Sequence, residues 1–458
     1  MTKNRICGLF SVAVFILVVV VASTGAHAQT YTDLYNFDFT HGAYPQYPNL
    51  LAQGRNGNLY GTTAGGGTYG DGVVFRITPS GTLNVLYNFK INSIGDSPFS
   101  GLTLGTDGNF YGTTTSGGPN NWGTIFKITP NGSLTTLYNF TGSTDGHDPF
   151  APPIQGADGN FYGVSYGGSA YRITSSGSFA LLGSVPGSCS APLLEGTDGN
   201  FYGTTLTGGR LGGGTVFKMT RKGIVTVLYN FDNTPFNKDG SSPYAPLIQA
   251  TDGNFYGTTL SGGINGGGVV FKLTPRGAIT VLHYFDPNNS GDGYYPYAGL
   301  VQATDGNFYG VTSYGGNVGR GVIFKITQTG SYSILYNFDG TKGGSPSATP
   351  MQHTDGKIYG LAALGTSDDG VVYSFNNAGL APFVSLVSTS GKVGKSIGIL
   401  GQGFKGTTAV SFNGTPAIFK VASSTYLTAK VPSGATTGFV IVTTPKHKLT
   451  SNKKFRVI

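Results

Sequence analysis

The sequence predicts an all-β chain, a seven-bladed β-propeller followed by an immunoglobulin-like β-sandwich, and three observations carry that expectation. First, a Tyr-Gly pair preceded by Phe, Leu or Ile recurs seven times, at Tyr60, Tyr111, Tyr162, Tyr202, Tyr256, Tyr309 and Tyr359. The steps between copies are 51, 51, 40, 54, 53 and 50 residues, a period that points to a propeller or a solenoid. Second, charged residues are only 10% of the 458, whereas Gly numbers 76, Tyr 27 and Phe 30. Low charge with abundant glycine and aromatics suits strands joined by tight turns and excludes a disordered chain. Third, the repeat stops after Asn376-Asn377-Ala378-Gly379, and short alternating strands with frequent glycine turns follow, the pattern of a sandwich.

The elements follow in chain order. Lys3 and Arg5 precede an almost wholly apolar run, Leu9 to Ala22, and Ala26-His27-Ala28 supplies the small residues a signal peptidase reads. Residues 1–28 are expected to be a secretory signal cleaved after Ala28, because the run is short for the ~20 residues a bilayer span needs. The propeller is then expected at 29–382 and the sandwich at 383–458. After the leader, no segment is expected to span a membrane, so the mature chain is expected to be secreted or held at the cell surface.

Residues 245–285 show how one repeat is built. Ala245 to Gln249 reads as a short apolar strand, and Thr251-Asp252-Gly253-Asn254 as a tight turn, since Asp-Gly tolerates positive φ. Phe255 to Leu260, Val269 to Thr274 and Ile279 to Phe285 read as three more strands. Four antiparallel strands make a propeller blade. The signature Leu-Tyr-Asn-Phe of the fourth strand first occurs at Leu34, ahead of the first Tyr-Gly, and none follows the last Tyr-Gly. Tyr31 to Phe37 is therefore expected to complete the last blade and close the ring. The glycine after each tyrosine is expected to permit close backbone approach between blades.

Strands running from the axis outward put the connections on two faces. The Asp-Gly-Asn and Thr-Pro-x-Gly turns, nearly invariant, share one face. The Gly-rich loops and the long inter-blade loops, which differ from repeat to repeat, share the other. Varied loops on a rigid scaffold are where binding usually sits. Trp122, the only tryptophan, lies in one such loop, and Tyr294, Tyr295 and Tyr297 cluster in another. His147, in Asp145-Gly146-His147-Asp148, lies in a third that could hold an ion or act as a base. These five residues are the candidate ligand contacts, set against the plainer reading that such aromatics cover blade edges and that the histidine belongs to a polar turn. Only nine residues separate Tyr162 from Tyr171, where Tyr256 and Phe271 are fifteen apart, so a notch is expected in the loop wall at the third blade.

The chemistry of known catalytic motifs is mostly excluded. Glu195 is the only glutamate, so an acid–base pair would have to draw on aspartates. Six of the nineteen (Asp107, Asp158, Asp198, Asp252, Asp305, Asp355) occupy the repeated turn, and Asn56 stands there in the first copy. Repetition around a ring and a neutral replacement argue for a structural role. Histidines and cysteines follow no metal spacing, no nucleophile elbow or phosphate loop occurs, and neither a catalytic residue nor a cofactor is expected. Cys189 is alone in the mature chain and reads as structural.

Charge is divided unevenly. Residues 383–458 hold ten Lys or Arg and no acid, whereas 29–382 hold sixteen against all twenty acids. The basic domain reads as a solvated surface or as a contact for an anionic envelope polymer. A slightly acidic propeller argues against nucleic acid.

The repeat Asp-Gly-Asn-Phe-Tyr-Gly-Thr-Thr…Gly-Gly…Val-Phe-Lys-Ile-Thr-Pro-x-Gly resembles the Gloeobacter/Verrucomicrobium (GloVer) tandem repeat of bacterial surface and secreted proteins. Ile399-Leu400-Gly401-Gln402-Gly403-Phe404 and Val431-Pro432-Ser433-Gly434-Ala435 lie in a segment that resembles an IPT/TIG domain, usually a spacer or interaction module. The resemblances imply an extracellular bacterial protein. The expected function is non-enzymatic binding or scaffolding, with an extracellular polysaccharide or a protein as partner. The alternatives are a carbohydrate-active enzyme using loop-face aspartates and a structural component of a surface layer.

Overall fold

The computed structural model describes residues 29–45, 51–91, 95–234, 237–289 and 291–458. The expected signal peptide, residues 1–28, lies outside them. Among the described residues every regular element is a strand, and no helix is long and apolar enough to cross a membrane.

Seven four-stranded antiparallel sheets occupy Thr30 to Asn376. In the blade of residues 245–285, Ile248–Gln249 pairs with Phe255–Thr259, which pairs with Val269–Leu273, which pairs with Ile279–Tyr284. A bulge between Val270 and Phe271 shifts the outer register, which adds local twist to the blade. Thr30–Asn36 pairs antiparallel with Val371–Asn376, so the first strand of the chain is the outer strand of the last sheet. Tyr31 then stacks on Tyr336 of the preceding blade at 4.1 Å.

The repeated motif explains itself in three dimensions. Asp252 accepts bonds from the Asn254 N–H (3.0 Å), the Asn254 amide (2.9 Å) and the Tyr256 hydroxyl (2.8 Å), and Gly253 takes φ +85°. The ring of Tyr256 then lies on Phe308 of the next blade at 4.1 Å, and Tyr60–Phe110, Tyr111–Phe161, Tyr162–Phe201 and Tyr202–Phe255 repeat the contact at 3.8–4.3 Å. Phe-Tyr is thus an inter-blade staple as well as a strand. In the first copy Asn56 keeps the arrangement without charge, its amide donating to the Tyr60 hydroxyl at 2.9 Å.

The glycine after tyrosine serves a different purpose from the one expected. A Cβ on Gly257 would stand 2.7 Å from Phe271 and 2.9 Å from Leu247, both in its own blade. It makes room for an aromatic ring of the third strand rather than for a neighbouring backbone.

Two rings of hydrogen bonds link the blades, one on each face. On the loop face the backbone N–H groups of Tyr44, Ser97, Asp148, Cys189, Ser242, Tyr295 and Ser345 each donate to a loop carbonyl of the preceding blade at 2.8–3.2 Å. On the turn face, Oε1 of Gln155, Gln249, Gln302, Gln352 and Gln53 and Oε2 of Glu195 accept from a turn N–H of the preceding blade at 2.8–3.1 Å. Leu104 replaces the glutamine in the second blade, and there Arg55 donates to the Thr106 carbonyl at 2.6 Å. The bond from Thr354 to Gln53 joins the last blade to the first.

Val384 to Val457 form a two-sheet sandwich around Ile399, Phe404, Leu427, Val440 and Phe455. It docks on the turn face. Thr425 donates to the Arg55 carbonyl at 2.8 Å, the Arg55 guanidinium lies 4.6 Å over the Tyr426 ring, and Gln402 donates to Thr354 at 3.0 Å.

Candidate functional site

The loop face is built on a repeated Gly-x-x-Pro corner. The residue before proline takes positive φ at Tyr44, Ser97, Asp148, Ser242, Tyr295 and Ser345, with angles of 48–56°. This left-handed turn aims its N–H back at the preceding blade and throws the side chains around it outward. His147, Tyr294 and Tyr295 are residues of this corner. Tyr295 also pays steric strain for its angle, since a side chain in the left-handed region costs ~1 kcal/mol or more.

The structure gathers the five candidates into two groups. Trp122 and His147 meet, with ring centroids 5.5 Å apart, and the Trp122 carbonyl receives the Asp148 N–H at 3.1 Å. The indole lies against Gly142, where a side chain would collide with it, and Trp122 is 41% exposed. His147 Nδ1 faces its neighbour Asp148 at 3.1 Å. Three blades around the ring, Tyr294 stacks parallel to Tyr314 at 5.8 Å and Tyr295 meets both edge-on at 5.1 and 6.1 Å. Tyr297 leaves this group and packs edge-on against Tyr244 of the preceding blade at 5.8 Å. At the third blade Ser165 to Gly168 form a tight turn where residues 261–268 make the loop of the fifth, and Tyr166 there packs on Phe150 at 5.2 Å.

The single aromatics of this face belong to a wider pattern. Tyr69, Trp122, Leu211, Ile264 and Val318 occupy the tips of five loops between second and third strands, and all are exposed, by 54%, 41%, 41%, 50% and 58%. Tyr44 and Tyr314 are exposed beside them. The face therefore carries a crown of apolar tips set in Gly, Ser, Thr and Asn. The signal was present in the sequence as one apolar residue inside each Gly-rich loop: Tyr69 before Gly70, Leu211 before Gly212, Val318 before Gly319, Ile264 after Gly263.

The turn face has the opposite character. Burial works against ionisation of Asp198, but hydrogen bonds from Asn200, Lys218 and Tyr202 outweigh it and hold the carboxyl at about 2. The same balance of desolvation against hydrogen bonds lowers Asp107, Asp252 and Asp355. These carboxylates are ionised and fully engaged, which makes them poor proton donors. Burial pushes the Cys189 thiol upward, and its Sγ lies 3.2 Å from the Thr204 carbonyl, so it is inert. Among the described residues no group of three or more His, Cys, Asp or Glu is placed to hold a metal.

Glu195, the only glutamate and so without a second one for an acid–base pair, has a place in the closure of the ring. It takes the place of the ring glutamine, and having no N–H to give, it is bridged instead by Arg221 at 2.6 Å and by Arg456 of the sandwich at 3.4 Å. The two partners Glu195 and Arg456 are 261 residues apart.

Among solved structures, one shares the fold. Virginiamycin B lyase from Staphylococcus aureus is 14% identical with TM-score 0.52, over 76% of this chain and 98% of that one. An auxiliary nutrient binding protein from Bacteroides ovatus is 11% identical with TM-score 0.44, over 76% of each chain. A gluconolactonase from Xanthomonas campestris is 10% identical with TM-score 0.39, over 73% and 96%. At these identities the first likeness is one of fold alone, and the other two carry no argument. No curated protein matches the chain. The family model of the Gloeobacter/Verrucomicrobia repeat matches residues 19–182 and 166–373, and that of the IPT/TIG domain matches 382–457. This combination fits a surface binding or scaffold role. The chain belongs to the Gloeobacter/Verrucomicrobia repeat family and carries an IPT/TIG domain behind its repeats.

Proposed function

We propose that the protein is an exported, non-enzymatic binding and scaffold protein whose loop face holds an extracellular polysaccharide. The observation that supports this reading is the crown of exposed tips, Tyr69, Trp122, Leu211, Ile264 and Val318, with Tyr44 and Tyr314 beside it. Apolar residues gathered on one face of a soluble scaffold mark an interaction surface. Flat rings such as Tyr69, Trp122 and Tyr314 suit the apolar faces of sugar rings, and the surrounding hydroxyls and amides suit sugar hydroxyls. A wide ring of weak contacts matches a repeating polymer better than a compact solute. On this reading residues 29–382 are the binding propeller, and residues 383–458 hold it at a set distance from its attachment.

The test is binding of the full chain to a panel of plant and microbial polysaccharides, alongside Trp122→Ala and Tyr69→Ala. Retention on at least one polymer is expected, falling several-fold in each variant with the melting temperature unchanged. Absence of retention on every polymer, or retention unaffected by both substitutions, overturns the reading. Recovery of a protein instead of a glycan assigns the face to a protein partner, and release of new sugar ends from a bound polymer makes the protein an enzyme.

A further inference from the structure

The sandwich does not lie flush on the propeller. A cavity of about 530 Å³ remains between the innermost strands of the fourth to seventh blades and the strand Lys448–Val457, within the ~300–1,000 Å³ typical of small-molecule sites. Its propeller wall is partly aliphatic, with Ile248, Val301 and Met351. The ring glutamines beside them are occupied in joining blades. Its other wall is basic.

The charges in this cavity do not cancel. Arg456 is committed to Glu195 at 3.4 Å, and Asp252 is committed to Lys272 at 3.2 Å. Lys454 lies over the Phe439 ring at 5.8 Å and has no ion pair among the described residues. Lys453 lines the cavity, and its ammonium has no ion pair or hydrogen bond among the described residues. It is open to water, yet desolvation by the surrounding protein lowers its pKa from the ordinary lysine value. Its geometric place is the cavity wall between the two domains. A cation there is held at a cost unless an anion joins it.

We propose that this cavity is a ligand site for a small sugar acid, whose carboxylate is held by Lys453 and whose ring lies along the aliphatic wall. The carboxylate supplies the missing negative charge in a charge-assisted hydrogen bond. The volume admits a monosaccharide, and the mixed wall suits a ring with one apolar face. The site lies on the turn face, opposite the apolar crown, so its occupancy does not depend on what the loop face binds. Its place between the two domains means that a bound ligand also ties the sandwich to the propeller.

Calorimetric titration of the full chain tests the proposal, with glucuronate and galacturonate as probes, glucose as the neutral control and inorganic phosphate as the free-anion control. Saturable binding of at least one uronate is expected, with none of glucose. Lys453→Gln is expected to weaken it about ten-fold or more, the loss of one charge-assisted bond. Lys453→Arg, which keeps the charge, is expected to restore most of it, and Trp122→Ala to leave it unchanged. Unperturbed melting of Lys453→Gln separates loss of a contact from loss of fold. The proposal fails if neither uronate saturates, if Lys453→Gln binds as the natural chain does, or if Trp122→Ala abolishes binding. Phosphate binding as tightly as the uronates replaces the sugar acid with a simple anion site.

Discussion

The two faces of the propeller are made by the same strands and behave in opposite ways. On the turn face, side chains close the structure: aspartate to tyrosine, tyrosine to the next blade's phenylalanine, glutamine to the next turn, and sandwich on top. On the loop face one backbone N–H per blade does the joining at the corners, and beneath it buried second-strand hydroxyls help, Thr258 donating to the Ala298 carbonyl at 2.9 Å and Thr204 to the Ala245 carbonyl at 3.0 Å. Side chains at the exposed loop tips stand outside that closure, and they are the ones that vary. The contrast teaches that repetition of a polar motif in this fold marks structure, and that the loop tips are free to vary because closure lies in the backbone and the buried hydroxyls beneath them.

Breaking a turn-face staple is expected to have the largest effect. Phe255→Ala removes a buried ring stacked on Tyr202 at 4.2 Å and is expected to cost about 3–5 kcal/mol in urea unfolding. A loss below about 1 kcal/mol would show that blades do not depend on these stacks. Glu195→Ala comes next. It leaves Arg221 and Arg456 without their partner and is expected to cost about 1–3 kcal/mol, with faster proteolysis between residues 377 and 383 as the sandwich loosens. Equal proteolysis of the two proteins would show that the ion pair does not hold the domains together.

Acid acts on the same face. Asp107, Asp198, Asp252 and Asp355 have folded pKa values below the ordinary carboxylate value, Asp198 at about 2. A depressed carboxyl contributes stability that is complete above its unfolded pKa, about 4. The contribution is lost as pH falls through the folded value. The melting temperature is therefore expected to fall between about pH 4 and pH 2, and Asp198→Asn, which copies the neutral Asn56, to flatten that fall. An unchanged acid profile in Asp198→Asn would remove this carboxylate from the explanation. Tyr256→Phe deletes one hydroxyl–carboxylate bond and is expected to cost about 1 kcal/mol.

The loop face is expected to respond least, and with the other sign. Ser242→Gly relieves a left-handed serine at φ 56° and is expected to stabilise the chain by up to about 1 kcal/mol, since the strain relieved exceeds the extra chain entropy that glycine loses on folding. Ile264→Ser at an exposed tip is expected to change stability by less than about 0.5 kcal/mol. A large loss at Ile264 would mean that the crown packs as structure and is not free for a partner.

Much of this was legible in the residues. Seven copies of the motif that ends in Tyr-Gly and the displaced Leu34-Tyr35-Asn36-Phe37 foretell repeated sheets with the first strand out of register, because strand and turn preferences are local. Repetition around the ring, the tight-turn position and the neutral Asn56 together read the aspartates as parts of the fold, and Asp252 is bonded within its own hairpin. The candidates Trp122 and His147 lie within 26 positions of each other, in loops of successive blades, and do meet. Tyr297 could not be assigned in the same way, since one proline after Tyr295 turns it toward Tyr244.

What the sequence determined by itself was the repeating unit: its strands, its turns, its aromatic staples and the division between constant and variable loops. Each depends on residues within one period of each other. What only the tertiary structure decided was which face the sandwich covers, the bridge from Arg456 to Glu195, the ring of glutamines and the cavity around Lys453. These depend on closing a ring and docking a domain. Residues hundreds of positions apart then come within a few ångströms, and no local preference records that distance.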